Sequence, residues 1–428
     1  MEITVEPVET IRGQIRVPGD KSISHRALLL SSLAEEPVEI EGLLKAADIS
    51  STQKCLQDLG TGFVEEKGRL KVSGQGLRGF KEPQVYLDAG NSGTTARLLA
   101  GLLAGQPFIS TLTGDESLRR RPMKRVTEPL RQMGASISGR EDSASLPLTI
   151  RGGSLVPISY SLPVASAQVK SALLIAALYC RGITSVIDPF NTRDHTERAL
   201  RHLGADIKTA GRRIMVQGPA RLAGGRFSVP GDISAAAFFI VAAALTPRGE
   251  LYIENLGVNP TRSGLLDLLK QMGADLRLLN ERERCGEPVA DLLVKGGRNL
   301  RGIKCGGEII PRLIDEIPAL AVAALFAGGE TTIRGASELR VKETDRIRAL
   351  AVELRKMGAR IKERPDGLVI EGGAKLNGAR CHSHGDHRMA MALATAALFA
   401  ESESIIEGAE AVKVSFPNFF NLLKKVAS

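Results

Sequence analysis

Asp20, Lys21, Ser22, Ser24, His25 and Arg26 crowd into one short stretch, directly after Val17-Pro18-Gly19 and directly before the largely apolar run Ala27–Leu33. The pattern predicts a turn and then a helix start, with Ile11, Ile15 and Val17 marking a strand ahead of it. A helix N-terminus offers unpaired backbone N–H groups and the positive end of the helix dipole, so it favours anions. Lys21, Ser22 and Arg26 at that end suit a phosphate or a carboxylate. They equally suit a capped helix carrying solvated charges. The G-D-K-S ending is not a P-loop, because Asp20 stands where the second Gly is required and the upstream Gly is missing.

Other helix starts carry comparable chemistry. Asn91, Gly93 and Thr94 lie where small and hydroxyl residues let backbone N–H groups approach an anion closely, or where they form a tight Thr-capped turn. Arg119, Arg120 and Arg121 precede Pro122. A solvated basic loop accounts for two of them, and Arg121, beside the proline, is expected to point inward as a carboxylate or phosphate clamp. Ser166, Ala167, Gln168 and Lys170 begin a further apolar helix, and Ser166 with Arg193 makes a second candidate phosphate site. His195 and Glu197 read as helix-start structure. Asp315-Glu316 is first of all a helix cap, notable because the equivalent starts carry cations. Lys342, Glu343, Asp345 and Arg346 fall within one and a half helical turns, a pattern that also describes a solvated charge network. Asp386, His387 and Arg388 open the last apolar helix, where His387 can exchange protons near neutral pH. His382, His384 and His387 lack zinc spacing, and neither metal nor other cofactor is expected. With no activated Ser or Cys nucleophile, the set suits acid–base chemistry on an anionic substrate.

The elements that must position these residues repeat. V-P-G-D occurs at Val17 and again at Val229, 229 − 17 = 212 residues on. Six segments share the pattern of small or charged residues followed by an Ala/Leu-rich helix. A second signal runs out of phase: Gly60, Gly134, Gly204, Gly273 and Gly358, spaced 74, 70, 69 and 85 residues apart, each end an amphipathic helix ahead of an alternating strand. Phe419–Val426 supplies a sixth such helix. Repeats of this length exceed solenoid periods of roughly 20–50 residues. Each holds about two helices and three or four strands, which makes the chain α/β. A helix that is apolar all round must be buried on all sides, so the six Ala/Leu-rich helices are expected inside, with sheets facing solvent.

At 428 residues the chain is too long for one ordinary core, and two domains are expected. Hydrophobic and charged fractions of 43% and 25% are globular values. The absence of Trp and an aromatic content of 4% count against a stacking platform for single-stranded nucleic acid. The net charge of +9 is scattered among turns and helix starts, which favours a small polyanionic substrate over nucleic acid. Five cysteines without C-x-x-C spacing read as free thiols in a reducing cytosol. The apolar helices are too short to span a membrane, and no signal peptide is expected.

Taken together, P-G-D-K-S-I-S-H-R, N-S-G-T-T-A-R, R-R-P-M, S-A-Q-V-K, R-V-K-E-T-D-R and G-D-H-R-M-A-M resemble the 5-enolpyruvylshikimate-3-phosphate (EPSP) synthase family over nearly the whole chain. R-D-H-T-E, S-A-Q-V-K and Asn259–Arg262 look like its class II branch, which is associated with glyphosate tolerance. The resemblance implies an inside-out α/β barrel of two similar domains. Each has three βαβαββ units around buried parallel helices, one domain at 1–20 plus 231–428 and the other at 21–230, with the active site in the cleft between them. It implies transfer of the enolpyruvyl group of phosphoenolpyruvate to the 5-hydroxyl of shikimate 3-phosphate. Asp315 would be the base, Glu343 the proton donor to the methylene, and Lys21 would lie near the reacting oxygen, with Lys342 and His387 close by. Ser22 and Arg26 would hold the shikimate carboxylate, Ser166, Ala167 and Arg193 its phosphate, and Gln168 would lie over its ring. Arg121, Arg346 and Arg388, with Asn91, Gly93 and Thr94, would grip phosphoenolpyruvate. The chain is expected to be a cytoplasmic monomer that binds two small-molecule substrates, no nucleic acid and no membrane.

Two departures matter. Many relatives carry a Lys directly before the last T-F-P-like segment. Here Val414 precedes Ser415-Phe416-Pro417 and Lys413 is one place earlier, which on a strand points the other way; Lys424 or Lys425 is the alternative. Gly93 stands where some tolerant relatives carry Ala, so a longer ligand has room, although the whole-chain resemblance still implies tolerance. The alternatives are a UDP-N-acetylglucosamine enolpyruvyl transferase, whose loop Cys is missing from Gly114–Arg121, and a non-catalytic basic protein that binds polyanions.

Overall fold

The computed structural model describes residues 1–428. Six helices are buried along nearly their whole length: α1 (Lys21–Ser32), α2 (Gly93–Ala104), α3 (Ala167–Ala177), α4 (Ile233–Leu245), α5 (Ile317–Phe326) and α6 (His387–Ala397). Such a helix has no side to offer water. In α4 and α5 every residue but the last is buried. Small side chains let these helices approach one another closely. At Gly101 of α2, a β-carbon would stand 2.3 Å from the carbonyl oxygen of Ala172 in α3.

The sheets are small and lie around the helices. Five have four strands and one has three. In one repeat, strand Leu87–Asp88, α2 and strand Ile109–Thr113 form a parallel βαβ unit. The amphipathic helix Lys124–Gln132 and the antiparallel pair Ser136–Gly139 and Ser145–Arg151 complete a βαβαββ order. Alternate residues of Ser145–Arg151 are buried, so one sheet face packs on the helices and the other is more open. After the amphipathic helices, Gly60, Gly134, Gly204, Gly273 and Gly358 all have φ between 87° and 105°, where a β-carbon is penalised.

Two compact units result. One comprises Met1–Pro18, Pro230–Glu283 and Pro288–Ser428; the other comprises Gly19–Val229 with Arg284–Glu287. Each has its own hydrophobic core. Gly19 and Asp20, expected in the first domain, and the turn Arg284–Glu287 belong to the second unit, while Pro230, expected in the second domain, belongs to the first. The reason for Asp20 is local: its carboxylate caps α1 by accepting from the Ile23 N–H at 2.9 Å. Asp232 caps α4 in the same way, accepting from Ser234. Gly19 is required because a β-carbon there would lie 1.9 Å from the Gly42 carbonyl oxygen. The V-P-G-D repeat thus encodes a close backbone approach followed by an N-cap.

In each unit, strands from near its two ends pair with each other. Glu2–Val5 pairs antiparallel with Ser404–Glu407, and Gly225–Ser228 pairs parallel with Val38–Glu41. All five cysteines are free, and no helix is long and apolar enough to cross a membrane.

Gly101→Ala is expected to push α2 and α3 apart and destabilise the protein by about 1–3 kcal/mol, the usual range for overpacking. Equilibrium urea unfolding of the two proteins measures this.

Candidate active site

In the second unit, most of the candidate side chains lie in the first two turns of α1, α2 and α3. Arg26 is buried in α1, and its three hydrogen bonds go to neutral oxygens: Thr196 Oγ1 and Ser171 Oγ at 2.7 Å each, and the Ser22 carbonyl at 2.7 Å. Burial lowers its guanidinium to about 10, with Glu197 and Asp20 opposing the shift, so it stays charged at neutral pH. A buried cation satisfied by hydroxyls keeps an attraction for an anion. Lys21, part-buried in the same first turn, has Nζ 3.2 Å from Asp48 Oδ2. His25 donates to or accepts from Thr52 Oγ1 at 2.7 Å. Burial, with Lys21 and Arg26 adding to it, holds that ring well below its ordinary pKa.

The starts of α2 and α3 are joined through Gln168. Its Nε2 donates to Thr94 Oγ1 at 2.8 Å, and its Oε1 accepts from Arg97 Nη1 at 2.6 Å. Arg97 also donates to the carbonyl oxygens of Gly93 and Pro122. Of the three consecutive arginines, Arg119 and Arg120 are exposed. Arg121 is half-buried and donates to Asn91 Oδ1 at 2.5 Å, while Asn91 donates to Asp115. Ser166 caps α3 by accepting from the Val169 N–H, and Ala167 is the first residue of that helix. Arg193 is half-buried in the segment that leads into helix His195–His202.

In the first unit, one buried guanidinium organises the acidic residues. Arg346 Nε donates to Asp386 Oδ2 at 2.7 Å, Nη2 to Glu343 Oε2 at 2.7 Å, and Nη1 lies 3.4 Å from Asp315 Oδ1. Burial works against its charge, but Asp386, Glu343 and Asp315 more than offset that and hold Arg346 above its ordinary pKa. Asp315 also faces Lys342 Nζ at 3.6 Å and Arg388 Nη2 at 3.8 Å, both beyond hydrogen-bond length. Asp386 also caps α6, accepting from the Arg388 N–H at 2.8 Å. His387, the first residue of α6, is buried.

Several residues support these clusters through contacts that the motifs do not show. Asp48 pairs with Lys21, and Arg97 holds Gln168. Arg262 binds Glu316 at 2.6 Å and Asp232 at 3.2 Å, which ties the N-cap of α4 to the residue after Asp315. Glu197 is a buried partner of Lys170 at 2.7 Å. Two local expectations change. Lys342–Asp345 are not helical, because Asp345 caps the helix Arg346–Lys356 by accepting from the Arg348 N–H. The segment before Ser415 is a 3₁₀ helix, Ala409–Val414, so the strand argument about Lys413 does not hold. Lys413, Lys424 and Lys425 are all exposed. His384 bonds Glu353 at 2.8 Å, and His382 accepts from the His384 N–H.

Inner helices with sheets around them, in two units, define an enolpyruvyl transferase fold. The enolpyruvyl transferase NikO from Streptomyces tendae superposes with a TM-score of 0.81 at 18% identity, covering 99% of this chain and 97% of the other, a likeness of fold alone. The EPSP synthase from Acinetobacter baumannii superposes with a TM-score of 0.89 at 44% identity, covering 100% and 98%. The family model for EPSP synthase (3-phosphoshikimate 1-carboxyvinyltransferase) matches residues 5–423. The 3-phosphoshikimate 1-carboxyvinyltransferases of Desulforamulus reducens and Pelotomaculum thermopropionicum are 51% and 53% identical, each over 100% of this chain and 99% of the relative. The chain belongs to the EPSP synthase family, whose reaction in the shikimate pathway moves the enolpyruvyl group of phosphoenolpyruvate to shikimate 3-phosphate.

Removing the organising cation strands buried carboxylates. Arg346→Met is expected to destabilise the protein by about 3–5 kcal/mol, because Asp386 is left without its buried partner. Arg346→Lys, which keeps the charge, should cost less. Thermal and urea unfolding of both variants measure the difference.

Proposed function

We propose that the Asp315–Glu343–Arg346 cluster and the cation-bearing helix starts of the second unit serve one reaction, an addition followed by an elimination. In the addition, the 5-hydroxyl oxygen of shikimate 3-phosphate bonds to the phosphoenolpyruvate carbon that bears the phosphate ester. The hydroxyl gives up its proton, and the methylene gains one and becomes a methyl. In the elimination, the bond from that carbon to the phosphate oxygen breaks, the methyl loses a proton, and the double bond returns. The chemistry needs a base, an acid, and cations that stabilise the charges of the substrates.

Asp315 is the base toward the 5-hydroxyl, and Glu343 is the proton donor to the methylene. Lys21 lies near the reacting oxygen, with Lys342 and His387 contributing to the same proton chemistry. Ser22 and Arg26 hold the shikimate carboxylate, Ser166, Ala167 and Arg193 its phosphate, and Gln168 covers its ring. Arg121, Arg346 and Arg388 grip phosphoenolpyruvate beside Asn91, Gly93 and Thr94. The observation that supports this assignment best is that Asp315 and Glu343 share one buried guanidinium, Arg346, which brings the two carboxylates together. Asp315 is also faced by Lys342 and Arg388 at distances too long for hydrogen bonds, cations that an entering anion can engage. The same proposal has the chain acting as a cytoplasmic monomer.

Asp315→Asn keeps the shape and removes the base. Turnover should fall roughly 10²–10⁴-fold, while the Michaelis constants change far less. Release of inorganic phosphate from the two substrates is the measurement, and near-normal turnover would return Asp315 to the role of a structural residue.

At Gly93, a β-carbon would stand 2.7 Å from Arg97 Nη1 and 3.6 Å from Arg121 Nη1. The methyl of Gly93→Ala therefore displaces the guanidinium that holds Gln168 and also narrows the space beside Arg121, at a cost of roughly 1–3 kcal/mol. Phosphoenolpyruvate should bind more weakly, and the longer glyphosate weaker still. The ratio of the glyphosate inhibition constant to the phosphoenolpyruvate Michaelis constant should rise in the variant; an unchanged ratio would mean that Gly93 does not border that substrate.

A further inference from the structure

Lys170 lies one turn into α3, four residues after Ser166, and is 2% exposed. Its ammonium has three donors, and each finds a partner: Asp188 Oδ2 at 3.0 Å, the Thr192 carbonyl at 3.0 Å and Glu197 Oε1 at 2.7 Å. Asp188 is buried too, and the chain winds around its carboxylate. Its Oδ2 accepts from the Thr192 N–H at 2.8 Å and the Thr192 hydroxyl at 2.6 Å, and its Oδ1 accepts from the Phe190 N–H at 3.1 Å. Asn191, inside this turn, has φ 53°. Arg193 is the next residue after Thr192, and Glu197 stands in the first turn of the helix that follows.

We infer that Lys170 is a positioning residue for the phosphate group of shikimate 3-phosphate, acting through Asp188 and Thr192 to fix Arg193 relative to Ser166. The inference rests on the proposal that Ser166 and Arg193 hold that phosphate. With its donors committed inside the fold, Lys170 does not reach a ligand; it joins the start of α3 to the Arg193 segment across a sequence gap that neither helix bridges. A lysine fits because a compact point charge satisfies three acceptors arranged around it. Phosphate recognition depends on where the guanidinium sits, and a small misplacement is costly.

The test uses the full chain and two acceptors, shikimate 3-phosphate and shikimate, which lacks the phosphate. Lys170→Met should raise the Michaelis constant for shikimate 3-phosphate by on the order of 10–100-fold. It should leave the constant for phosphoenolpyruvate and the kcat/KM for shikimate close to those of the parent. Thr192→Val, which removes only the hydroxyl bond to Asp188, should shift the shikimate 3-phosphate constant in the same direction by less, and carries the test if Lys170→Met does not fold. Arg193→Ala is the control for the phosphate assignment. If it leaves the shikimate 3-phosphate constant unchanged, that assignment and the inference both fall. If Arg193→Ala raises it while the folded Lys170 and Thr192 variants do not, or while they weaken shikimate equally, the role of Lys170 alone is overturned.

Discussion

A helix with no face toward water can carry polar chemistry only at its ends. The first two turns of α1, α2, α3 and α6, and the turn before α5, are where these helices keep their charged residues. N-termini rather than C-termini are used because they present N–H groups and the positive end of the dipole, which suits substrates with several negative charges. The side walls of the helices are given over to packing, as the contact of Gly101 with Ala172 illustrates.

The constraint has an electrostatic consequence. Side chains at these helix starts are near the core, so their charges are desolvated and must be answered nearby. Asp386 at the start of α6 is answered by Arg346, which also pairs with Glu343 and Asp315; Glu316 before α5 and Asp232 before α4 by Arg262; Lys170 in α3 by Asp188 and Glu197. Arg26 differs, since its bonds go to two hydroxyls and a carbonyl, and burial pulls its pKa down. A cation in that condition gains from an anionic ligand in a way that the carboxylate-paired ones do not.

Much of this was legible in the order of residues. Apolar helices without a polar side had to be internal, and the out-of-phase glycines had to end amphipathic helices, because both follow from local sequence and backbone geometry. Arg121 stood out from its two neighbours because Pro122 restricts the chain there. Long-range pairing was not legible. Nothing in a run of letters joins Lys170 to Glu197 or Arg262 to Glu316, 54 residues away. Nor does it show that Asp386 both caps a helix and neutralises Arg346. The misread segments, Lys342–Asp345 and Ala409–Val414, are short, and at that length a cap or a single turn of 3₁₀ helix overrides periodicity.

The order in which the chain is synthesised gives the closing strands another meaning. Apart from one turn, the second unit is a continuous stretch, Gly19–Val229, and its sheets need nothing made much later. The first unit is different. Its strand Glu2–Val5 has its partner at Ser404–Glu407, and Thr10 exchanges backbone hydrogen bonds with Ser428. During translation the segment Glu2–Thr10 must therefore remain without its native partners until Ser404–Ser428 has left the ribosome, while the inserted unit is already able to fold. The two units, alike in architecture, are thus unlike in when they can be completed.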